Sequence, residues 1–359
     1  MKKNIGFCFL ILLMLCMIFS CTIGNTEEDF YASSLDRKIE SNYNFFNEKY
    51  NELSGSIEAI YNKKETTHKY CIIDNEKITV MWRNSGKNIA VSFAKKGVNK
   101  IFDVLAVYYN EAEVFDTEIS NYTLFINNTT DYLSPIVVKA ENNVDGDLPE
   151  SNHFTGGNHG YNNTGETSNN SATGTSENIE FYIDGYKKDS YIGYFNYIEI
   201  SWIDKIQATN TKKADGSGRY VLEEHHKITF DNVFDGFEIT TFFYAKEKIT
   251  ITTLYGLQCA YLNSFDTISF VGSHSNKKTQ AVKNGLISDR NTEYIKLNGN
   301  LNVEFGVTSG LSDGYYEKSY DAFTSGNKAY LYLINPASAN KCTLDFDEYV
   351  FYKGYYKFN

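Results

Sequence analysis

At 359 residues, 42% hydrophobic and 22% charged, the chain has globular composition and is too long for a minimal domain. Its net charge of −11, from 34 basic against 45 acidic side chains, disfavours a general nucleic-acid partner. Three Pro beside 29 Tyr and 25 Phe exclude collagen-like and Pro-rich stalks and favour β-strands over helical bundles.

The chain starts Met1-Lys2-Lys3, and Ile5 to Phe19 is almost wholly Phe, Leu, Ile, Met and Cys, the positive and apolar regions of an export signal. That run is too short for a comfortable membrane span. It ends in Ile18-Phe19-Ser20-Cys21, which resembles the bacterial lipobox. The resemblance implies cleavage before Cys21, a lipid on its thiol, and a bacterial cell-envelope location, on the outer membrane or cell surface, held by acyl chains. Residues 1–20 are then the signal. Residues 21–69 carry Leu35, Ile39, Tyr43, Phe46, Tyr50 and Leu53 at helical spacing, which predicts a tether helix or stalk.

Three cysteines remain beyond the signal and Cys21, namely Cys71, Cys259 and Cys342, so all cannot pair and buried free thiols are expected. No Cys/His pair has zinc spacing, and no metal or other cofactor is expected. The turn Asn143-Val144-Asp145-Gly146-Asp147 fails the EF-hand spacing and reads as a plain turn.

From residue 70 to 359 the pattern is strand upon strand. Segments such as Tyr194–Trp202, Tyr220–Phe230, Phe237–Tyr244 and Asp347–Phe358 are β-branched or aromatic and bounded by Gly, Asn, Asp or Ser. With almost no helix between them they predict an all-β, antiparallel β-sandwich of jelly-roll type. Between Asn142 and Asn178 the residues are mostly Asn, Gly, Ser, Thr and Asp, which reads as a long functional loop or a linker between two sandwiches.

Two clusters carry candidate chemistry. Gly156-Gly157-Asn158-His159-Gly160-Tyr161 offers an amide, an imidazole and a phenol on a backbone that a large ligand can approach closely. The second joins Lys212, Lys213 and Arg219 to the strand bearing Glu223, Glu224, His225 and His226. The planar fork of Arg219 suits a carboxylate, and alternation along a strand lets only one of His225 and His226 face a cleft.

These residue types are those that β-elimination on a uronate polymer requires: a group to neutralise the carboxylate (Arg219 or Asn158), a base (His159 or His225) and an acid (Tyr161 or Tyr355). Hydrolysis would need two facing carboxylates about 5 to 10 Å apart, and no pair stands out by spacing. The closing segment Tyr349-Val350-Phe351-Tyr352-Lys353-Gly354-Tyr355-Tyr356-Lys357 resembles the last strand of jelly-roll alginate lyases, which implies an acid/base role for Tyr355 or Tyr356. The family's Gln-x-His strand is missing. The blocks Gly156-Gly157-Asn158-His159 and Asn210-Thr211-Lys212-Lys213-Ala214-Asp215-Gly216 also resemble stretches of uncharacterised surface and phage-tail proteins. Abundant Tyr and Asn suit stacking on sugar faces and bonding of hydroxyls. The chain therefore reads first as a surface module for extracellular polysaccharide or host glycan, and second as a polysaccharide lyase.

Overall fold

The computed structural model describes residues 69–359 except 128–132, 134, 150–152, 168–169, 261, 273–277, 283–287, 310, 312–319, 326 and 336–340. The export signal, Cys21 and the expected helical stalk lie outside the described residues. Among these residues there are twenty-four β-strands, two short 3-10 turns and no α-helix. The all-β expectation holds. No described helix is long and apolar enough to cross a membrane.

Every strand pairing is antiparallel, and the sheets are large. The central sheet has ten strands, among which Gly174–Ile183, Tyr197–Gln207, Tyr220–Asp231, Gly236–Ala245 and Tyr349–Phe358 are consecutive neighbours. A six-stranded sheet is built on Lys69–Asp74, Lys77–Asn84, Lys87–Lys96 and Ile101–Asn110, and another on Ile249–Ala260 and Lys328–Ile334.

The sequence explains why the central sheet buries one face. Along Tyr349–Phe358 burial alternates strictly, with Val350, Tyr352, Gly354, Tyr356 and Phe358 inward, as a period-two strand requires. Both six-stranded sheets pack on this inner face. Trp82 of the first lies 6.2 Å from Phe230 and 6.0 Å from Phe358, and Phe93 lies 5.4 Å from Phe237. The second is pinned by hydroxyls: Tyr352 donates to the Gly256 carbonyl at 2.9 Å, and Tyr356 donates to that of Gln258 at 2.8 Å. A buried phenol keeps its place in an apolar layer because its O–H finds a carbonyl partner. The result is a β-sandwich in which one broad sheet is covered by two smaller ones.

The polar 142–178 segment, expected to be a loop or linker, contains regular structure. Gly160–Asn162 and Gly165–Thr167 form a hairpin, and Gly174–Ile183 is a strand of the central sheet. Its Asn, Thr and Gly residues hide the apolar alternation that marks strands elsewhere. Asn162 shapes the hairpin turn, its side-chain oxygen accepting from the Thr164 amide at 2.9 Å and hydroxyl at 2.8 Å.

Candidate functional site

The hairpin at 160–167 is fixed to the sandwich by Asn99. Its amide donates to the carbonyls of Gly157 at 2.7 Å and His159 at 3.2 Å, and its oxygen accepts from the Thr173 amide at 2.7 Å. Gly156 and Gly157 both have positive φ, +71° and +49°. A Cβ on Gly156 would lie 2.6 Å from the Ile206 side chain. Both glycines turn the chain through positive φ, and Gly156 does so hard against the core. Asn158 accepts from the Val98 amide at 3.2 Å and so docks the turn on the first sheet.

This anchoring presents His159 and Glu166. The two side chains meet at 2.8 Å through Nδ1 and Oε1, and they keep 23% and 26% of their surface exposed. Burial would raise the Glu166 carboxyl, but the His159 hydrogen bond and charge, with the Phe154 amide, outweigh it and hold it below its ordinary value. A neutral His159 that donates from Nδ1 to this carboxylate has Nε2 as its proton acceptor.

An aromatic row continues from the pair. Phe154 stacks on His159 with centroids 5.1 Å apart and lies 5.0 Å from Tyr255. Tyr255 in turn stacks on Tyr330 at 4.7 Å and meets Tyr332 edge-on at 4.7 Å. Burial pushes the Tyr255 phenol above its ordinary value, and the Tyr332 hydroxyl, 3.4 Å away, adds to the shift.

Tyr161 stands directly opposite Glu166 in the hairpin, so both side chains leave the same face. Above the Tyr161 ring, 4.7 Å from its centroid, sits the ammonium of Lys212. Lys212 is 2% exposed and its Nζ has no hydrogen-bond partner. Burial lowers its pKa to about 8, against the pull of Glu166. Of the residues expected to act, His159 and Tyr161 are thus brought together, with Glu166 and Lys212 beside them.

The others are held in separate settings. Arg219 is a bidentate clamp, as its chemistry suggests, but its carboxylates are the chain's own: Asp147 at 3.0 and 3.2 Å and Glu247 at 2.6 and 3.4 Å. It also donates to the Asn142 carbonyl. His225 lies on the outer face of its strand, 3.3 Å from Glu223, while His226 turns into the core. The Tyr355 hydroxyl donates to Glu304 at 3.0 Å, and burial and that carboxylate raise its pKa. Tyr356, the other residue implied by the lyase resemblance, is buried against Gln258. Sequence reading missed Phe154, Glu166, Tyr255, Tyr330 and Tyr332. Glu166 has a local signal, seven residues from His159 across a glycine-flanked turn, but the tyrosines arrive from distant strands.

No protein-family model matches the chain, and no curated protein matches it. Several solved structures resemble it in shape. The galactosidase domain of the α-galactosidase-sucrose kinase AgaSK aligns with 80% of this chain and 41% of its own, at 10% identity and a TM-score of 0.48. The GH36 α-galactosidase AgaB from Geobacillus stearothermophilus covers 80% and 41%, at 8% identity and 0.47. The α-galactosidase from Lactobacillus brevis covers 80% and 40%, at 9% and 0.44. The chain thus spans about two fifths of these proteins.

Proposed function

We propose that this chain is an envelope lipoprotein that binds extracellular carbohydrate on the aromatic row running from the His159–Glu166 pair. One observation carries the reading: the half-buried rings of Phe154 and Tyr255, tilted against each other with centroids 5.0 Å apart and backed by the buried Tyr330, adjoin a partly exposed, ionised carboxylate and an imidazole. Sugars offer flat C–H faces for such rings and hydroxyls for such a carboxylate. The lipid anchor at Cys21 and the export signal before it support an outward-facing location. The test is a glycan array probed with the purified body, together with fatty-acid labelling of cells. Binding to a glycan class and label lost in Cys21→Ala support the proposal. No glycan bound, or label retained in that variant, removes the corresponding half.

A second reading is β-elimination on a uronate polymer, favoured by the orientation of His159. Glu166 holds Nδ1, which makes Nε2 the base, with Tyr161 as acid and Lys212, whose ammonium lies over the Tyr161 ring, as the cation. Here Lys212 replaces Arg219, whose fork is engaged by Asp147 and Glu247. Ultraviolet absorbance of the unsaturated product, followed on a panel of uronate polymers, decides between catalysis and binding alone.

A further inference from the structure

The neighbouring strands Tyr197–Gln207 and Tyr220–Asp231 turn alternate side chains into the core, and on that inner face they place three ionisable groups among Ile, Trp and Phe. Asp204 lies directly opposite Glu224, and Trp202 opposite His226. Asp204 and Glu224 are each 3% exposed and His226 is 2% exposed. Nε2 of His226 makes no well-aligned hydrogen bond, yet it sits 3.2 Å from Oδ2 of Asp204 and 3.3 Å from Oε2 of Glu224. The three donor atoms all fall within 4.8 Å of one another.

Two carboxylates in an apolar core are costly unless a cation accompanies them, since the desolvation penalty is several kcal/mol per ion. A proton on His226 is one way to supply it. Burial opposes that charge most strongly, and the adjacent carboxylates of Asp204 and Glu224 overcome it, raising the ring to about 9. If both carboxyls are ionised, an imidazolium leaves the trio with one uncompensated negative charge. A divalent ion on a neutral ring brings it to zero.

The spacing fits such an ion. With bonds of about 2.0–2.1 Å in a tetrahedral zinc site, neighbouring donors stand about 3.3–3.4 Å apart, close to both contacts of His226. The surroundings also resemble a ligand's support. Ser176 donates its hydroxyl to Oδ1 of Asp204 and itself accepts from the Phe102 amide at 2.6 Å. Thr241 Oγ1 lies 2.9 Å from Nδ1 of His226. The ring stacks on Trp202 at 4.7 Å and 20°. When Nδ1–H donates to Thr241, the tautomer that leaves Nε2 for a metal is fixed, which is the usual office of groups just outside a metal's ligands.

We propose that Asp204, Glu224 and His226 form a structural site for a divalent transition-metal ion of the zinc class, joining two strands of the central sheet inside the core. The site stands apart from the His159–Glu166 hairpin and does not depend on the carbohydrate reading. Zinc-motif spacing in the sequence could not reveal it, because the ligands come from adjacent strands paired across the sheet.

The test begins with the purified wild-type chain, dialysed against metal-free buffer and assayed by elemental mass spectrometry. About one equivalent of a divalent transition metal is expected. Unfolding with a chelator and refolding without metal should then give a protein whose Tm rises by about 5 °C or more when zinc chloride is added. In Asp204→Asn and His226→Gln the metal content should fall to less than about a tenth of an equivalent. Should these variants fail to fold, the zinc response of the wild type alone still decides. Less than about a tenth of an equivalent in the wild type, with Tm indifferent to zinc and to chelator, would overturn the site and leave a buried imidazolium in its place. A full equivalent retained by a folded Asp204→Asn/His226→Gln double variant would overturn it as well.

Discussion

His159 and Glu166 meet at 2.8 Å across a hairpin that the rest of the sandwich holds by its backbone. The same carboxylate takes the Phe154 amide at 2.6 Å on its other oxygen. One side chain therefore sets the position of both the imidazole and the first ring of the aromatic row. Glu166→Gln keeps the shape but loses the charge-assisted bond to His159. A stability loss of about 1 kcal/mol is expected from denaturant unfolding at neutral pH. Unchanged stability would mean that the pair does not hold the hairpin.

Arg219 gathers Asp147, Glu247 and the Asn142 carbonyl from three segments. Arg219→Met removes the cation and leaves two carboxylates facing each other, one of them, Asp147, only 6% exposed. A loss of about 1–3 kcal/mol is expected, with glycan affinity unchanged. Weakened binding without a change in stability would return Arg219 to the role of ligand clamp.

Lys69 is wholly buried, its ammonium on the Phe234 carbonyl and 5.4 Å from the Trp82 ring. Burial lowers it from 10.5 to about 8, with Asp231 and Asp235 pulling the other way. Between pH 8 and 10.5 the unfolded chain holds a proton that the folded chain has released, so the lysine's contribution to stability rises across that window. The rise is on the order of 3 kcal/mol. Cys71 acts oppositely, because burial raises its thiol from 9.0 to about 12 and stability is lost over that range. The comparison is therefore made as a difference: the stability of Lys69→Met minus that of wild type should become more negative from pH 8 to 10.5, by on the order of 3 kcal/mol. A flat difference would contradict the lowered pKa.

Cys71, Cys259 and Cys342 are buried thiols that form no disulfide among the described residues. A thiol reagent should leave them untouched in the native body and modify them after denaturation without reductant, as mass spectrometry of labelled peptides would show. Rapid labelling of the native protein would contradict their burial.

Much of the fold is legible in the sequence where a long strand buries one face, as Tyr349–Phe358 and Tyr197–Gln207 do. Val350, Tyr352, Tyr356 and Phe358 alternate with Lys353, Tyr355 and Lys357, and that period alone marks both the strand and its inner side. The same rule says that only one of His225 and His226 can face inward, but choosing His226 requires Asp204 on the neighbouring strand, a matter of register. The site was half legible. His159 and Tyr161 stand out by their glycines, whereas Tyr255 and Tyr330 reach Phe154 only through strand pairing over long separations. Arg219 reads as a clamp for a ligand's carboxylate, and nothing local reveals that Asp147 and Glu247 engage its fork.

The central claim is that carbohydrate lies on the half-buried rings of Phe154 and Tyr255. It is tested most directly by calorimetric titration of the glycan that scores highest on the array, using wild type and Tyr255→Ala. Loss of a stacking ring in a binding face costs about 1–2 kcal/mol, so the variant should bind roughly tenfold more weakly while its circular dichroism stays that of a β-protein. Equal affinity in a folded Tyr255→Ala variant would contradict the account.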